Sequence, residues 1–324
     1  MAVFTNTQAK GNRESLSDII KDISPEDTPA LTNFGKSKAN ATREDWQTDA
    51  LGAANKDNAV LEGTDSTLPA INPTTLLSNH VQDFEISFAI SNVQEKVKKA
   101  GRKSEVSYQI EKAFRQLKTD VEASITQNNV AVARVAGTTA GKSAGLEAFA
   151  WEINNVASAT GAHGTGGATT VVTTGAPTTA ITDGTLRAYT EAQLKASIAA
   201  GFAKGARYKM ALMPFAQKQA MAAFTGVAAT RVNMNVGKKE MGGIIGAVDV
   251  YVSDAGAIML TPDAHMRTRT VLLVDPDCVS TLFLQDYEHE ELAKTGAYTK
   301  HRVGCNMTLK VSNPRGVAKI ADLS

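Results

Sequence analysis

The stretch SEVSYQIEKAFRQLKTDVEASITQNNVAVA, residues 104–133, decides how the rest of the chain is read. Val106, Ile110, Ala113, Leu117, Val121, Ile125 and Val132 recur at three- and four-residue spacing and lay one narrow apolar stripe along a helix. Ser104 suits the N-cap, Glu111 and Arg115 pair at i,i+4, and no proline interrupts. Roughly thirty residues at about 1.5 Å each make a rod of about 45 Å, long beside the three turns usual in globular proteins. The expectation is a spine with other elements laid along it.

Toward the N-terminus the order dissolves. Residues 5–13 are polar and without period, a short apolar turn follows at Leu16, Ile19, Ile20 and Ile23, and Pro25 and Pro29 break any helix. A segment this poor in apolar residues gains little by folding alone, so residues 1–40 read as an arm that lies across a neighbouring subunit. Residues 41–90 read as strands flanking a polar excursion, 52–73, that together make a long hairpin. Its second strand is suggested by Phe84, Ile86, Phe88 and Ile90.

Beyond the spine, residues 137–185 are rich in Gly, Ala and Thr and mark a boundary between lobes, with Leu146, Phe149, Trp151 and Ile153 as material worth burying. A second compact region opens with a capping box, Thr190 and Gln193, ahead of Leu194, Ile198 and Phe202. Strands follow at 208–213, around Val248, Val250 and Val252, and at 270–274, with a helix from Phe215 to Phe224 after Pro214. Five of the nine methionines fall between Met210 and Met241, including Met234, and read as adaptable core. The C-terminal remainder is strand-rich and returns to the first lobe. Segregated helices and strands without βαβ alternation give an α+β class.

Charge is balanced, 34 basic against 33 acidic residues, and no basic tail or patch suggests a dedicated DNA grip. Cys278 and Cys305 lack CxxC spacing and read as reduced thiols. No apolar run is long enough to span a bilayer, and the N-terminus lacks the apolar core of a signal peptide. The motifs that tempt an enzymatic reading fail on spacing. Gly137–Ser143 ends in Gly-Lys-Ser but has three residues where a phosphate loop has four, and it follows a helix where a strand is required. The glycines at 161, 164, 166 and 167 fit a mobile surface loop better than a dinucleotide fingerprint. His289 among Glu288, Glu290 and Glu291 suggests a weak metal site, but a solvated helix or turn explains it better. Glu44 and Asp45 beside Trp46 cannot flank one sugar bond, because neighbours on a strand point apart. No catalytic, cofactor or metal residue is assigned.

Several ordered pieces carry a resemblance. Ile23-Ser24-Pro25, Thr28-Pro29, Gly35-Lys36 and Trp46-Gln47-Thr48-Asp49 stand near the start. Glu62-Gly63, Ala100-Gly101-Arg102, Ser104-Glu105 and Tyr108-Gln109 come next, then residues 292–296 (LAKTG) and 320–323 (IADL). The series resembles the major capsid proteins of tailed bacteriophages with the Hong Kong 97-type fold. The resemblance implies an arm at 1–40 and an extended hairpin loop at 41–90. It also implies a peripheral domain at 91–185 and 271–324 with its spine helix at 104–133, and an axial domain at 186–270. It implies a non-enzymatic shell subunit forming hexamers and pentamers around double-stranded DNA. The scaffold would be separate or already removed, a portal and decoration proteins would be partners, and assembly would take place in the host bacterial cytoplasm with no membrane and no cofactor. Trp46, Glu62 and Arg102 are the expected subunit contacts, an aromatic and an arginine being usual interface anchors. An encapsulin-type compartment is the alternative of the same fold, and a nucleotide hydrolase using Gly137–Ser143 the alternative of another class.

Overall fold

The computed structural model describes residues 24–52, 54–63, 65, 71, 73–99, 101–150, 161–168, 172, 174–222, 224 and 249–324. The apolar turn at Leu16–Ile23, Trp151, Ile153, Met234 and Met241 lie outside them, as does most of the expected arm.

The chain opens with α1 (Pro29–Asn33), β1 (Gly35–Lys38), β2 (Arg43–Thr48), β3 (Thr75–His80), β4 (Gln82–Ser91) and α2 (Asn92–Lys96). The spine is α3, Glu105–Thr126, where the Ser104 hydroxyl accepts from the Ser107 amide at 3.2 Å. Its stripe buries Ala113, Leu117, Val121 and Ile125. The helix stops at Thr126, seven residues short of the expected end. The run Gln127-Asn128-Asn129 captures carbonyls instead of continuing the helix. Gln127 Nε2 donates to the His265 carbonyl at 2.6 Å, Asn128 Nδ2 to that of Ile181 at 3.1 Å, and Asn129 Nδ2 back to that of Ser124 at 3.1 Å.

The rest comprises α4 (Leu146–Phe149), α5 (Glu191–Phe202), β5 (Met210–Met213), α6 (Phe215–Ala222), β6 (Val250–Ser253), β7 (Gly256–Pro262), β8 (Val271–Val274), β9 (Val279–Gly296), β10 (Tyr298–Val311) and β11 (Val317–Ile320). The capping box of Thr190 and Gln193 forms at the start of α5. Among the described residues three sheets result, with orders β1-β9-β10-β4, β11-β8-β5-β7-β6 and β2-β3.

Two hairpin expectations change. The strand that pairs with β2 is β3, with Arg43 opposite His80 and Thr48 opposite Thr75, while the alternating stretch Phe84–Ile90 belongs to β4 and pairs with β10. The acidic run around His289 is no helix or turn but part of β9, the long partner of β10. Both faces of β9 are largely exposed there, so no two-residue period marks it.

The five-stranded sheet is a wall between two cores. Met210, Leu212, Leu272, Val274 and Val317 point into the core shared with α3 and the four-stranded sheet. Their neighbours Ala211, Met213, Val271, Leu273, Ala318 and Ile320 point into the core shared with α5 and α6. Alternation on a strand makes this division, and it explains why Val271–Val274 is apolar on both faces. A boundary drawn at residue 270 therefore runs through a sheet, between β8 and its neighbour β5.

Candidate assembly interface

Among the described residues, the connection between β2 and β3 holds the largest display of apolar side chains to water. Leu51 is 101% exposed, Ile71 94%, Leu61 82% and Val60 74%. Scattered single apolar residues are ordinary on a surface, but four on one polar connection form a feature that a partner would cover. Glu62 lies exposed in the same connection, in a turn whose Gly63 has φ +80°.

The other expected contacts are turned inward to different degrees. Trp46 is buried, its ring 5.9 Å from that of Phe149. Most of its surface is thus engaged inside its own chain. Arg102 is half-buried, donating to Glu105 Oε2 at 2.6 Å with its guanidinium 5.2 Å from the Tyr108 ring centroid. The Gln109 amide, and then Arg102, hold the Glu105 carboxyl below its ordinary value. Trp46 and Arg102 thus secure local structure: one closes the β2–β3 base, the other the start of the spine.

Nothing in the sequence marks how the chain before β1 is fastened. Glu122 faces away from the apolar stripe of α3, yet it is buried, because α1 lies over it. Its two carboxylate oxygens accept the amides of Ala30 at 2.6 Å and Leu31 at 2.8 Å. Thr28 makes no side-chain cap to α1, so Glu122 satisfies from outside the donors that a helix start leaves open. Burial drives the Glu122 carboxyl up to about 7 against the pull of those two amides. Nearby, Arg115 bridges Glu26 at 3.1 Å. Together these two carboxylates lay residues 26–31 along the spine.

A second unforeseen cluster joins the Gly/Thr-rich stretch to the C-terminus. Arg267 reaches Glu147 Oε2 at 3.0 Å and also Asp183, while Arg269 reaches Asp183 at 3.2 Å and Asp322 at 2.7 Å. Asp322, fully buried with φ 61°, also accepts the amides of Gly164 at 2.9 Å and Gly184 at 2.8 Å. A Cβ on Gly164 would meet the Thr185 carbonyl at 2.0 Å. The glycines at 164 and 167 are therefore part of a pinned, buried contact and not a mobile surface loop. Burial raises the Glu147 carboxyl and Arg267 opposes that rise. The sequence signal for this cluster is faint: charges at Lys319 and Asp322 inside an otherwise apolar ending.

Gly137–Ser143 is a tight hairpin. Val135 and Thr139 exchange amide bonds at 3.0 Å, as do Val132 and Lys142. These amides bond across the hairpin and do not converge on a phosphate. Ser143 Oγ is buried and accepts from the Leu309 amide at 3.2 Å. Among the described residues no group of three or more His, Cys, Asp or Glu is arranged to hold a metal, and no helix is long and apolar enough to cross a membrane. Cys278 and Cys305 are both free thiols.

Comparison with known proteins follows the same outline. A family profile described as SU10 major capsid protein matches residues 3–324. The major capsid protein of Escherichia phage Phieco32 is 32% identical over 120 residues, which span 37% of this chain and about a third (34%) of that relative's length. Among solved structures, the capsid of cyanophage A-1(L) superposes with a TM-score of 0.65 at 13% identity, covering 99% of both chains. An encapsulin complex from Synechococcus elongatus superposes with a TM-score of 0.54 at 12% identity, covering 100% of this chain and 97% of that one. At these identities the structural likenesses speak for the fold alone.

Proposed function

The chain belongs to the SU10 major capsid protein family, has the α+β Hong Kong 97-type fold and is a major capsid protein of a phage shell, and from that premise we propose how it assembles. The connection between β2 and β3 reaches across a neighbouring copy, which covers Leu51, Val60, Leu61 and Ile71. The observation that carries this is the near-complete exposure of those four side chains. Full burial of each is worth about 1.5–3 kcal/mol, enough in sum to matter for a contact repeated at every subunit.

Residues 1–40 act as the arm, fastened at its root by Glu122 and Arg115, and Glu62 and Arg102 contribute polar contacts at the rim. The region built on α5, α6 and β5–β7 gathers around the symmetry axes of hexamers and pentamers. The shell, a virion component, encloses double-stranded DNA without reading its sequence and is assembled in the host cytoplasm with a scaffold, a portal and decoration proteins. The balanced charge supports enclosure without a dedicated grip. The fold is shared with an encapsulin, so it is family membership that favours the phage shell over a cellular compartment.

The test is assembly of a Leu51→Ser, Leu61→Ser, Ile71→Ser triple variant, followed by sedimentation and electron microscopy. Soluble subunits or broken rings with an unchanged far-UV spectrum are expected. Shells of normal yield and size would overturn this reading of the hairpin loop.

A further inference from the structure

On the outer part of the β9–β10 hairpin, two imidazoles converge. His289 Nε2 and His301 Nδ1 stand 3.1 Å apart, with ring centroids at 5.2 Å and planes inclined by 27°. The approach is fixed by the backbone. The ladder sets His301 opposite Glu291 and Val303 opposite His289, so the two histidines are diagonal neighbours on paired strands. His301 is 4% exposed and its ring lies 5.4 Å from that of Phe88, on the strand to the other side. His289 is exposed, which leaves one side of the pair open to solvent. Glu291 shares the His289 face of β9 beside the pair, while Glu288 and Glu290 alternate to the other face.

We infer that His289 and His301 form a two-nitrogen chelate for a borderline transition-metal ion of the Zn²⁺, Ni²⁺ or Cu²⁺ class. Two metal–nitrogen bonds of about 2.0–2.1 Å at a tetrahedral angle put their nitrogens roughly 3.3–3.4 Å apart, close to the spacing found. Imidazole nitrogen selects this class over Mg²⁺ and Ca²⁺, which prefer oxygen ligands. The strands hold both nitrogens in place before any ion arrives, so binding requires loss of the proton between them and little further ordering. Among the described residues no third His, Cys, Asp or Glu completes the set, so water fills the remaining positions. His301 Nε2 is buried without an acceptor, so the ligand lacks the outer support that tight structural zinc sites have. The site is therefore an exchangeable clamp across the hairpin.

The competing account is a plain hydrogen bond between two neutral imidazoles, and a binding experiment separates the two. Assembled particles are stripped with EDTA and dialysed to equilibrium against Zn²⁺, and the zinc bound per subunit is measured as the excess over the dialysate. One zinc per subunit is expected in the wild type. His289→Ala, a change at an exposed position, should remove it, while His80→Ala should retain it. No zinc on the wild type, or equal zinc on His289→Ala, would overturn the assignment. Should His301→Ala fail to fold, the His289→Ala comparison decides alone.

Discussion

Two stretches of this chain look alike in sequence and behave as opposites in the fold. The connection 49–74 and the stretch 161–185 are both rich in small and polar residues. In the first, Leu51 and Ile71 stand almost wholly in water. In the second, Ala162, His163 and Gly164 are buried and held by Asp322. The difference lies in where the partner is. Asp322, Arg267 and Arg269 reach the second stretch from within the same chain, whereas among the described residues nothing covers the apolar side chains of the first. A loop of small residues is thus either a surface awaiting another subunit or a seam already closed, and only the groups facing it tell which.

The largest effect should come from opening the closed seam. Asp322→Ala leaves Arg269 and the amides of Gly164 and Gly184 without their acceptor. Removing one partner from a buried ionic network costs about 3–5 kcal/mol, so urea unfolding should show a severe loss or no folded state. A smaller loss is expected from Gly164→Ala, whose added methyl carbon collides with the Thr185 carbonyl. Overpacking of this kind costs about 1–3 kcal/mol, read as a shift of the urea midpoint at constant slope.

Glu122 offers an intermediate case. Glu122→Ala strands two amides at the start of α1 and should cost about 1–3 kcal/mol, with faster hydrogen exchange at Ala30 and Leu31 while the core of α3 stays protected. Its pH dependence has a definite sign. The folded value, about 7, lies above the ordinary 4.5, so folding takes up a proton between these limits. Stability from this group is therefore greatest at low pH and is lost as pH rises through about 7. Wild type should gain stability between pH 8 and pH 6 relative to Glu122→Gln, which has no such proton to bind. Parallel pH profiles of the two urea midpoints would contradict that.

The smallest effect on the isolated subunit belongs to the open stretch. The triple serine change at Leu51, Leu61 and Ile71 should alter its unfolding free energy by no more than about 0.5 kcal/mol, the range of surface substitutions. A large loss would mean that those side chains already have partners within the chain and would erase the contrast.

How far the sequence foretold this depends on whether periodicity survives in each element. The apolar stripe of α3 showed through because one face is buried along the helix, and β4 alternated because one face of its sheet is covered. The end of α3 was not legible, since Gln127 and Asn128 cap onto carbonyls of His265 and Ile181 far along the chain. The outer half of β9 leaves no period in the sequence because both of its faces are exposed. Trp46 reads as an interface anchor for its polar neighbours, and only the fold brings Phe149 beside it. Glu122 carries no local mark and Asp322 only a faint one, because what buries them lies about 90 and more than 130 residues away in sequence.

The proposed cover of the β2–β3 connection by a neighbouring copy in the shell can be probed at a single position. Cysteine placed at Ile71 and probed with a maleimide, with labelling read peptide by peptide, tests it directly. Rapid labelling is expected in unassembled subunits and strong protection in assembled shells. Equal labelling in the two states would contradict it.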